Sequence, residues 1–150
     1  MTDDPVAHYV ERFALLLSDA GMPRMPARVF TRLLVNDSGK ASATELAQAL
    51  QVSPAAISGA VRYLEHVGMI TRGRDPGQRR DHYAVPDDAW YEAIMNRDKL
   101  LSTWSSAMAD GAKLLGEDSP AGKRMATSNR FFEFLRQEMD DMLLRWRAQR

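Results

Sequence analysis

The chain has 150 residues, of which 45% are hydrophobic and 27% are charged, and it contains no cysteine. This length and composition suit one domain with a buried core, and the lack of cysteine excludes disulfides, thiolate metal sites and cysteine-based redox sensing. No run of 18 apolar residues occurs, which excludes a membrane span. The acidic N-terminus lacks the basic start of a secretion signal, which predicts a cytoplasmic protein.

The charge of the chain sums to zero, because 20 basic residues balance 20 acidic ones. Its distribution is uneven, since residues 53–85 hold five basic and three acidic side chains, including four arginines between residues 72 and 80. This predicts a local basic patch. The three histidines are scattered without metal-ligand spacing, so the sequence predicts no metal and no cofactor.

The N-terminal part of the chain predicts two helices. The first covers residues 4–20, and the second runs from about residue 26 to residue 35, followed by a loop at residues 36–39. Apolar residues of the first helix recur at alternating spacings of four and three, which indicates one continuous seam. They are Val6, Val10, Phe13, Leu17 and Ala20.

A capping box at residues 42–45 opens a short helix from about Ala43 to Leu50. A tight turn at Gln51 and Val52 follows, and Ser53 then caps a further helix that Gly68 ends. Two helices joined by so short a connection have the form of a helix-turn-helix.

The helix over residues 53–68 has an anchoring face and an open face. Ile57, Val61 and Leu64 recur at helical spacing and are predicted to enter the core. The opposite face is small at its start and becomes basic at Arg62, which suits close approach to the major groove of DNA. The alternative is an ordinary amphipathic helix with a solvated polar face.

A β-hairpin is predicted next, with strands at residues 69–72 and 82–85 and a turn around Pro76 and Gly77. Arginines beside the tip suit the negative potential of a narrow minor groove. Because neighbouring strand residues point to opposite faces, we expect one of Arg79 and Arg80 to contact DNA and the other to brace the hairpin.

The alternative for these arginines is a surface ion pair, either Arg80 with Asp81 or Arg79 with Asp75. The predicted DNA-binding residues lie at two helix starts, on the open helix face and in the hairpin. They are Ser42, Thr44, Ser53, Ala55, Ala56, Ser58, Gly59, Arg62, Arg74, Gln78, Arg79 and Arg80.

Two long helices are predicted to close the chain, one from Ala89 to about Leu115 and one from Pro120 to Arg150. The last carries more apolar side chains than a small domain covers, so we expect a second copy to bury them. Packing within one chain is the alternative. The predicted dimerisation residues are Val6, Val10, Phe13, Leu17, Phe132, Leu135, Met139, Met142 and Trp146.

Aromatic side chains on the first and fifth helices suggest a small-molecule effector pocket, because aromatic walls attract a cationic ligand. Ordinary core packing is the alternative and the more frequent role of such stripes. The candidate pocket residues are Phe13, Trp90, Tyr91, Trp104 and Met108.

A helix, a capped helix-turn-helix and a basic two-stranded wing, flanked by long apolar helices, resemble the MarR family of bacterial transcription regulators. Residues 21–28 (GMPRMPAR) and 76–83 (PGQRRDHY) are similar to the GbsR-like branch of that family. The expected fold class is mainly α with a small β-wing (α+β). The expected protomer has a winged-helix DNA-binding region at residues 22–86 and a helical dimerisation region at residues 1–21 and 87–150.

The resemblance implies a homodimer that sets two recognition helices in successive major grooves of a palindromic site, with the wings at the minor grooves. It also implies repression that a ligand relieves, and the GbsR-like branch suggests a choline-like effector. Typical members of the wider family carry a bulkier side chain where this chain has Gly59, which puts more weight on Ser58, Arg62 and DNA shape.

Two other classes of function are weighed against this one. The sequence has no glycine-rich phosphate loop, no nucleophile elbow and no histidine beside a nucleophile, so an enzyme is not expected. The alternative is a winged-helix module that binds protein and not DNA.

Overall fold

The computed structural model describes residues 4–149, which form six α-helices and three short β-strands. The predicted limits at residues 1–3 and at Arg150 lie outside the described residues. The elements are α1 (Pro5–Asp19), α2 (Arg24–Val35), β1 (Lys40–Ser42), α3 (Ala43–Leu50), α4 (Pro54–His66), β2 (Thr71–Gly73), β3 (His82–Ala84), α5 (Ala89–Leu115) and α6 (Pro120–Arg147).

The six helices and the small antiparallel sheet confirm the predicted fold class of mainly α with a small wing, and capping side chains mark the starts of α1, α3, α4 and α6. The Ser42 Oγ accepts a hydrogen bond from the Glu45 backbone N–H at 3.2 Å, and the Glu45 Oε1 accepts one from the Ser42 N–H at 3.0 Å. Ser53 and Ser119 cap α4 and α6 through their hydroxyl oxygens in the same way. These local signals place the helix boundaries because each cap satisfies backbone donors that the helix leaves free.

Three elements differ from the sequence prediction. Strand β1 was not predicted, because three residues between a loop and a helix carry no alternating pattern. Strand β2 begins two residues later than predicted, since Met69 and Ile70 are buried in the core before the chain reaches the sheet. Helix α2 begins at Arg24, directly after Pro23.

The three strands form an antiparallel sheet in the order β1, β3, β2. Tyr83 of β3 lies opposite Ala41 on one side and Arg72 on the other. The returning strand of the wing is therefore the central strand, and β1 fastens it beside the start of α3.

Residues up to Glu92 form the first compact unit. Its core comes from α2, α3 and α4, where the largest fully buried side chains are Phe30, Leu33, Leu46, Ile57 and Leu64. Such residues anchor α4 by one face, as the sequence predicted, and leave its other face in solvent.

Helix α1 packs on α2. This packing buries part of the predicted apolar seam and leaves another part exposed. Val10 and Ala14 are buried in the single chain, whereas Val6 is 45% exposed. The side chain of Val10 is thus already covered within its own chain, and its part in dimerisation stays a prediction. The exposed apolar stripe of α1 consists of Val6, Tyr9, Phe13 and Leu16, of which Phe13 is partly covered.

Residues from Ala93 onward form the second unit, in which polar side chains join α5 to α6. The buried Ser105 hydroxyl donates to Glu133 Oε1 at 2.6 Å and contacts the Asn129 amide. Arg136 pairs with Asp98 at 3.1 Å and with Glu133 at 3.2 Å. The Ser105 hydrogen bond, with help from Arg136, lowers the pKa of Glu133.

Candidate nucleic-acid interface

The open face of α4 is formed by the predicted small and basic residues. Ser53, Ala55, Ser58, Gly59 and Arg62 are exposed, and Ala56 is partly covered. The Arg62 Nη2 approaches the Ser58 Oγ at 3.5 Å, so these two side chains lie one turn apart on the same face. The helix thus presents a surface free of bulky side chains for its first two turns, followed by one cation.

Two serine hydroxyls predicted to contact DNA already cap helices. The oxygens of Ser42 and Ser53 each accept a backbone hydrogen bond at 3.2 Å. Each hydroxyl keeps its own hydrogen, so it can donate to a phosphate oxygen while it caps the helix. The starts of α3 and α4 also leave free backbone N–H groups, which favour anions.

Gly59 lies inside α4 without any packing reason for a glycine. A Cβ built on this residue meets no atom within 4 Å, and its backbone is ordinary helix. Glycine in a helix interior costs about 1 kcal/mol relative to alanine. Gly59 therefore lowers the stability of α4 and leaves this part of its surface without a side chain.

Two of the wing arginines are neutralised by acids of the same chain. Arg74 pairs with Asp81 through Nη2 at 2.9 Å. Arg72 pairs with Glu65 at 3.1 Å and stacks on the Tyr83 ring at 5.5 Å. Tyr83 first and Glu65 second raise the pKa of Arg72.

Arg79 and Arg80 differ from each other in their surroundings. The Arg80 Nη1 donates to the Thr44 Oγ1 at 3.4 Å, which links the wing to the start of α3. Arg79 is exposed and makes no hydrogen bond or ion pair with any residue in the described range 4–149. Neither of the ion pairs weighed from the sequence forms, because Asp81 pairs with Arg74 and Asp75 pairs with Lys40 at 3.5 Å.

A polar cleft of about 400 Å³ separates the wing from α3. Thr44, Gln48 and Gln78 line it together with acids and bases of both elements. The Gln78 backbone N–H closes the turn at the wing tip by donating to the Asp75 carbonyl at 3.0 Å. The charged side chains that line this cleft include the acids Glu45, Asp75 and Asp81 and the base Arg80.

The register of the sheet brings together residues that the sequence did not connect. Arg72 lies opposite Tyr83, which places the guanidinium over the ring, and this pairing follows from strand register alone. Arg28 of α2 also contacts the end of α3, where its Nη2 lies 3.1 Å from the Leu50 carbonyl oxygen. Residues 21–28 form a recognisable motif in the sequence, but no pattern in that motif indicates a contact between Arg28 and Leu50.

The residues predicted for dimerisation are exposed to different degrees. Val6, Met142 and Trp146 are exposed, and Phe13, Leu17, Phe132, Leu135 and Met139 are partly covered. Helix α6 exposes further large apolar side chains that the predicted seam omitted. They are Phe131, Phe134 and Leu144.

The candidate effector residues take part in ring contacts within each unit. The Trp90 ring meets Phe30 edge to face with centroids 5.3 Å apart. Trp104 contacts Phe132 with centroids 5.9 Å apart. Trp90 and Trp104 are each about half exposed. Tyr91 and Met108 are partly covered, so the effector pocket stays a prediction.

Two negative observations apply to residues 4–149. In that range no three histidine, aspartate or glutamate side chains come together as metal ligands. No helix formed by the same residues is long and apolar enough to cross a membrane.

Two family models match neighbouring parts of the chain. A model of the MarR family matches residues 20–81, and a model of MmpR5-like MarR family transcriptional regulators matches residues 88–149. Together the two matches span most of the chain.

One curated relative and one solved structure are similar over most of their length. The HTH-type transcriptional regulator MmpR5 of Mycobacterium tuberculosis is 27% identical over 119 residues, which cover 79% of this chain and 72% of that protein. A crystal structure of a transcriptional regulator is 25% identical with a TM-score of 0.86, and the match covers 98% of this chain and 100% of that chain.

Proposed function

Because this chain belongs to the MarR family of winged-helix, DNA-binding transcription regulators, we propose that it represses transcription as a homodimer on a palindromic operator. The observation that carries the proposal is the bare face of α4, where a Cβ built on Gly59 meets no atom within 4 Å. A bare helix face followed by Arg62 fits the major groove, which admits an α-helix and offers base edges to arginine. An enzyme is not proposed, since the family consists of transcription regulators.

In the proposed complex the helix-turn-helix and the wing contact different parts of the DNA. The hydroxyls and free N–H groups at the starts of α3 and α4 bind phosphates, and Arg62 reads a base edge or a phosphate. Arg79 enters the minor groove, because Arg74 is held by Asp81 and Arg80 is held at Thr44. Arg80 braces the wing.

We propose residues 22–86 as the DNA-binding region and residues 1–21 and 87–150 as the helical region through which two copies associate. The exposed apolar side chains of α1 and α6 support this division, since a stripe of that length needs a cover. Val10 offers the least to such an interface, because its own chain covers it. Val6, Met142 and Trp146 are the predicted dimer residues that lie most open.

We also propose that the chain belongs to the GbsR-like branch and that a small-molecule effector binds it. The motifs at residues 21–28 and 76–83 support the branch, whereas residues 88–149 match the MmpR5-like model. A cationic, choline-like effector is supported by the half-exposed indoles of Trp90 and Trp104, because aromatic faces attract quaternary ammonium groups.

A salt series of duplex binding tests the proposed function. Each neutralised phosphate contributes a slope of about −0.9 to log K against log salt. With Arg62 and Arg79 of both copies at phosphates, we expect a slope of about −4 or steeper, or about a two-hundredfold loss between 50 and 200 mM salt. The probe is an operator fragment selected from the source genome, and a half-site duplex is the control.

The half-site duplex is expected to bind at least tenfold more weakly, because only one copy engages it. A winged-helix module that binds only protein would bind neither duplex at 50 mM salt. Equal binding of both duplexes would contradict the paired arrangement.

Separate alanine substitutions test the proposed division between the two wing arginines. Arg79→Ala is expected to weaken binding to all duplexes and to reduce the magnitude of the salt slope by about 2 per dimer, since each copy loses a phosphate-neutralising charge. Arg80→Ala is expected to cost about threefold in affinity, because it loses a hydrogen bond to Thr44 worth about 0.5–1 kcal/mol. Fluorescence anisotropy at several salt concentrations measures both, and a larger slope change for Arg80→Ala would reverse the assignment.

A further inference from the structure

Arg28 joins three elements of the first unit through one side chain. It lies on α2 with its side chain only 18% exposed. Its Nε donates to the Glu11 carboxylate of α1 at 2.8 and 3.1 Å, and its Nη2 lies 2.8 Å from the same carboxylate. The Nη2 also donates to the Leu50 carbonyl oxygen at 3.1 Å. The Nη2 carries two hydrogens, so both of its contacts are satisfied at once.

The Leu50 carbonyl lies at the turn of the helix-turn-helix. An α-helix leaves its last carbonyls without partners, and at the end of α3 the N–H groups of Gln51 and Val52 bond to the carbonyls of Gln48 and Ala47. The Leu50 carbonyl is left for Arg28. Gln51 is a non-glycine residue in the left-handed region at φ 56, a conformation that persists only when its surroundings hold it.

Ser53, the cap of α4, lies two residues beyond Gln51, so the geometry of this turn sets the direction in which α4 leaves α3. On the other side of Arg28, α1 exposes the apolar stripe of Val6, Tyr9, Phe13 and Leu16, which the dimer proposal assigns to contact with other helices. Glu11, Arg28 and the Leu50 carbonyl thus form a continuous polar path between α1 and the turn that precedes α4.

We propose that Arg28 is a positioning residue for DNA binding, which holds the turn before α4 and couples it to α1. The proposal rests on the proposed function, and it adds a regulatory consequence. A shift of α1 moves Glu11, Glu11 moves the guanidinium, and the guanidinium moves the Leu50 carbonyl and the start of α4. Contacts made by the outer face of α1 therefore change the affinity for the operator.

The chemistry requires arginine at this position. A planar guanidinium presents several donors in fixed directions and can hold a carboxylate and a carbonyl together. A lysine ammonium is a single centre on a flexible stem, and it reaches one of these partners well at the expense of the other.

The test compares Arg28→Met with Arg24→Met. Methionine keeps the apolar stem and removes the donors. Arg24 is the matched control, because it also lies on α2 and faces Glu11 at 3.7 Å, but it is 59% exposed and makes no hydrogen bond or ion pair with α3 among the described residues. The two readouts are affinity for the selected operator duplex and hydrogen exchange of the Gln51 and Val52 amides in the free protein.

We expect Arg28→Met to lose at least tenfold in operator affinity and to exchange the Gln51 and Val52 amides at least tenfold faster. Arg24→Met is expected to stay within twofold of the unmodified protein in both. Arg28→Lys is expected to recover part of the affinity. The proposal is overturned if Arg28→Met leaves affinity and exchange unchanged, or if Arg24→Met loses as much.

The two readouts separate this proposal from the proposed function. If the unmodified protein fails to bind duplex DNA, the function is wrong, while exchange in the free protein still decides whether Arg28 holds the turn. If Arg28→Met does not fold, Glu11→Gln replaces it, since that change removes the charge of the partner and keeps an acceptor. For Glu11→Gln we expect at least a threefold loss of affinity with faster Gln51 exchange, and an unchanged variant overturns the coupling to α1.

Discussion

Replacing Gly59 with glutamate is expected to stabilise the fold and to abolish binding to duplex DNA. Residue 59 lies inside α4, and a side chain built there meets no atom of the chain. Glutamate is a better helix former than glycine, so we expect a gain of about 0.5 kcal/mol in the free energy of unfolding. In the proposed complex the same position faces DNA, where a carboxylate costs several kcal/mol, or at least about a hundredfold in affinity.

Two further substitutions at the same position separate bulk from charge. Gly59→Ala adds one methyl group, and we expect a loss of less than about fivefold with a similar gain in stability. Gly59→Lys adds a long side chain of opposite charge, and we expect about a tenfold loss because its bulk fills the space through which the helix approaches the groove. Thermal denaturation and anisotropy titration measure the two effects. If the glutamate variant bound DNA like the unmodified protein, α4 would not enter a groove.

Among the substitutions proposed for this protein, Phe30→Ala is expected to lower the free energy of unfolding the most. Phe30 of α2 is fully buried, and its ring contacts Trp90 edge to face with centroids 5.3 Å apart. Removing a buried phenylalanine ring costs about 3–5 kcal/mol, because the transfer free energy and the cavity left behind both count. Domains of this kind have a free energy of unfolding of about 5–15 kcal/mol, so the change removes a large part of the total.

Leu34→Ala is the matched control for Phe30→Ala. Leu34 lies one turn further along α2 and is 38% exposed, so its truncation is expected to cost about 1 kcal/mol or less. At about 2–4 °C per kcal/mol, Phe30→Ala lowers Tm by about 10 °C and Leu34→Ala by no more than about 4 °C. Circular dichroism melts at one protein concentration distinguish the two. Equal losses would mean that α2 does not hold the core as described.

Local chemistry predicted the helices well. The capping box at Ser42, the caps at Ser53 and Ser119 and the turn at Gly77 each depend on neighbours within a few residues, so a sequence alone displays them. Strand β1 was missed because its only support is pairing with β3, which lies about 40 residues away. A three-residue strand has too few positions to show a period of two.

The sequence predicted which face of α4 is exposed, but it did not predict the ion-pair and hydrogen-bond partners of the arginines around that helix. Apolar spacing identifies the buried side of a helix, and the opposite side follows from it. The acid that neutralises Arg74 is set by the register of β2 against β3 and by the fold of the wing turn. The same two features leave Arg79 without an ion pair to any residue between 4 and 149. The Arg28 contact with Leu50 spans 22 residues and two helices, and no local pattern encodes it.

Because β3 is the central strand of the sheet, the wing can change in length only where its residues lie outside the sheet. Tyr83 and its neighbours are hydrogen-bonded on both sides, so any slip in register would break two ladders at once. The tip at residues 74–80 belongs to neither ladder and is exposed, which is where chains tolerate insertions and deletions. The wing can therefore become longer or shorter at its tip, and so extend its arginines over more or fewer base pairs, while the recognition helix keeps its place.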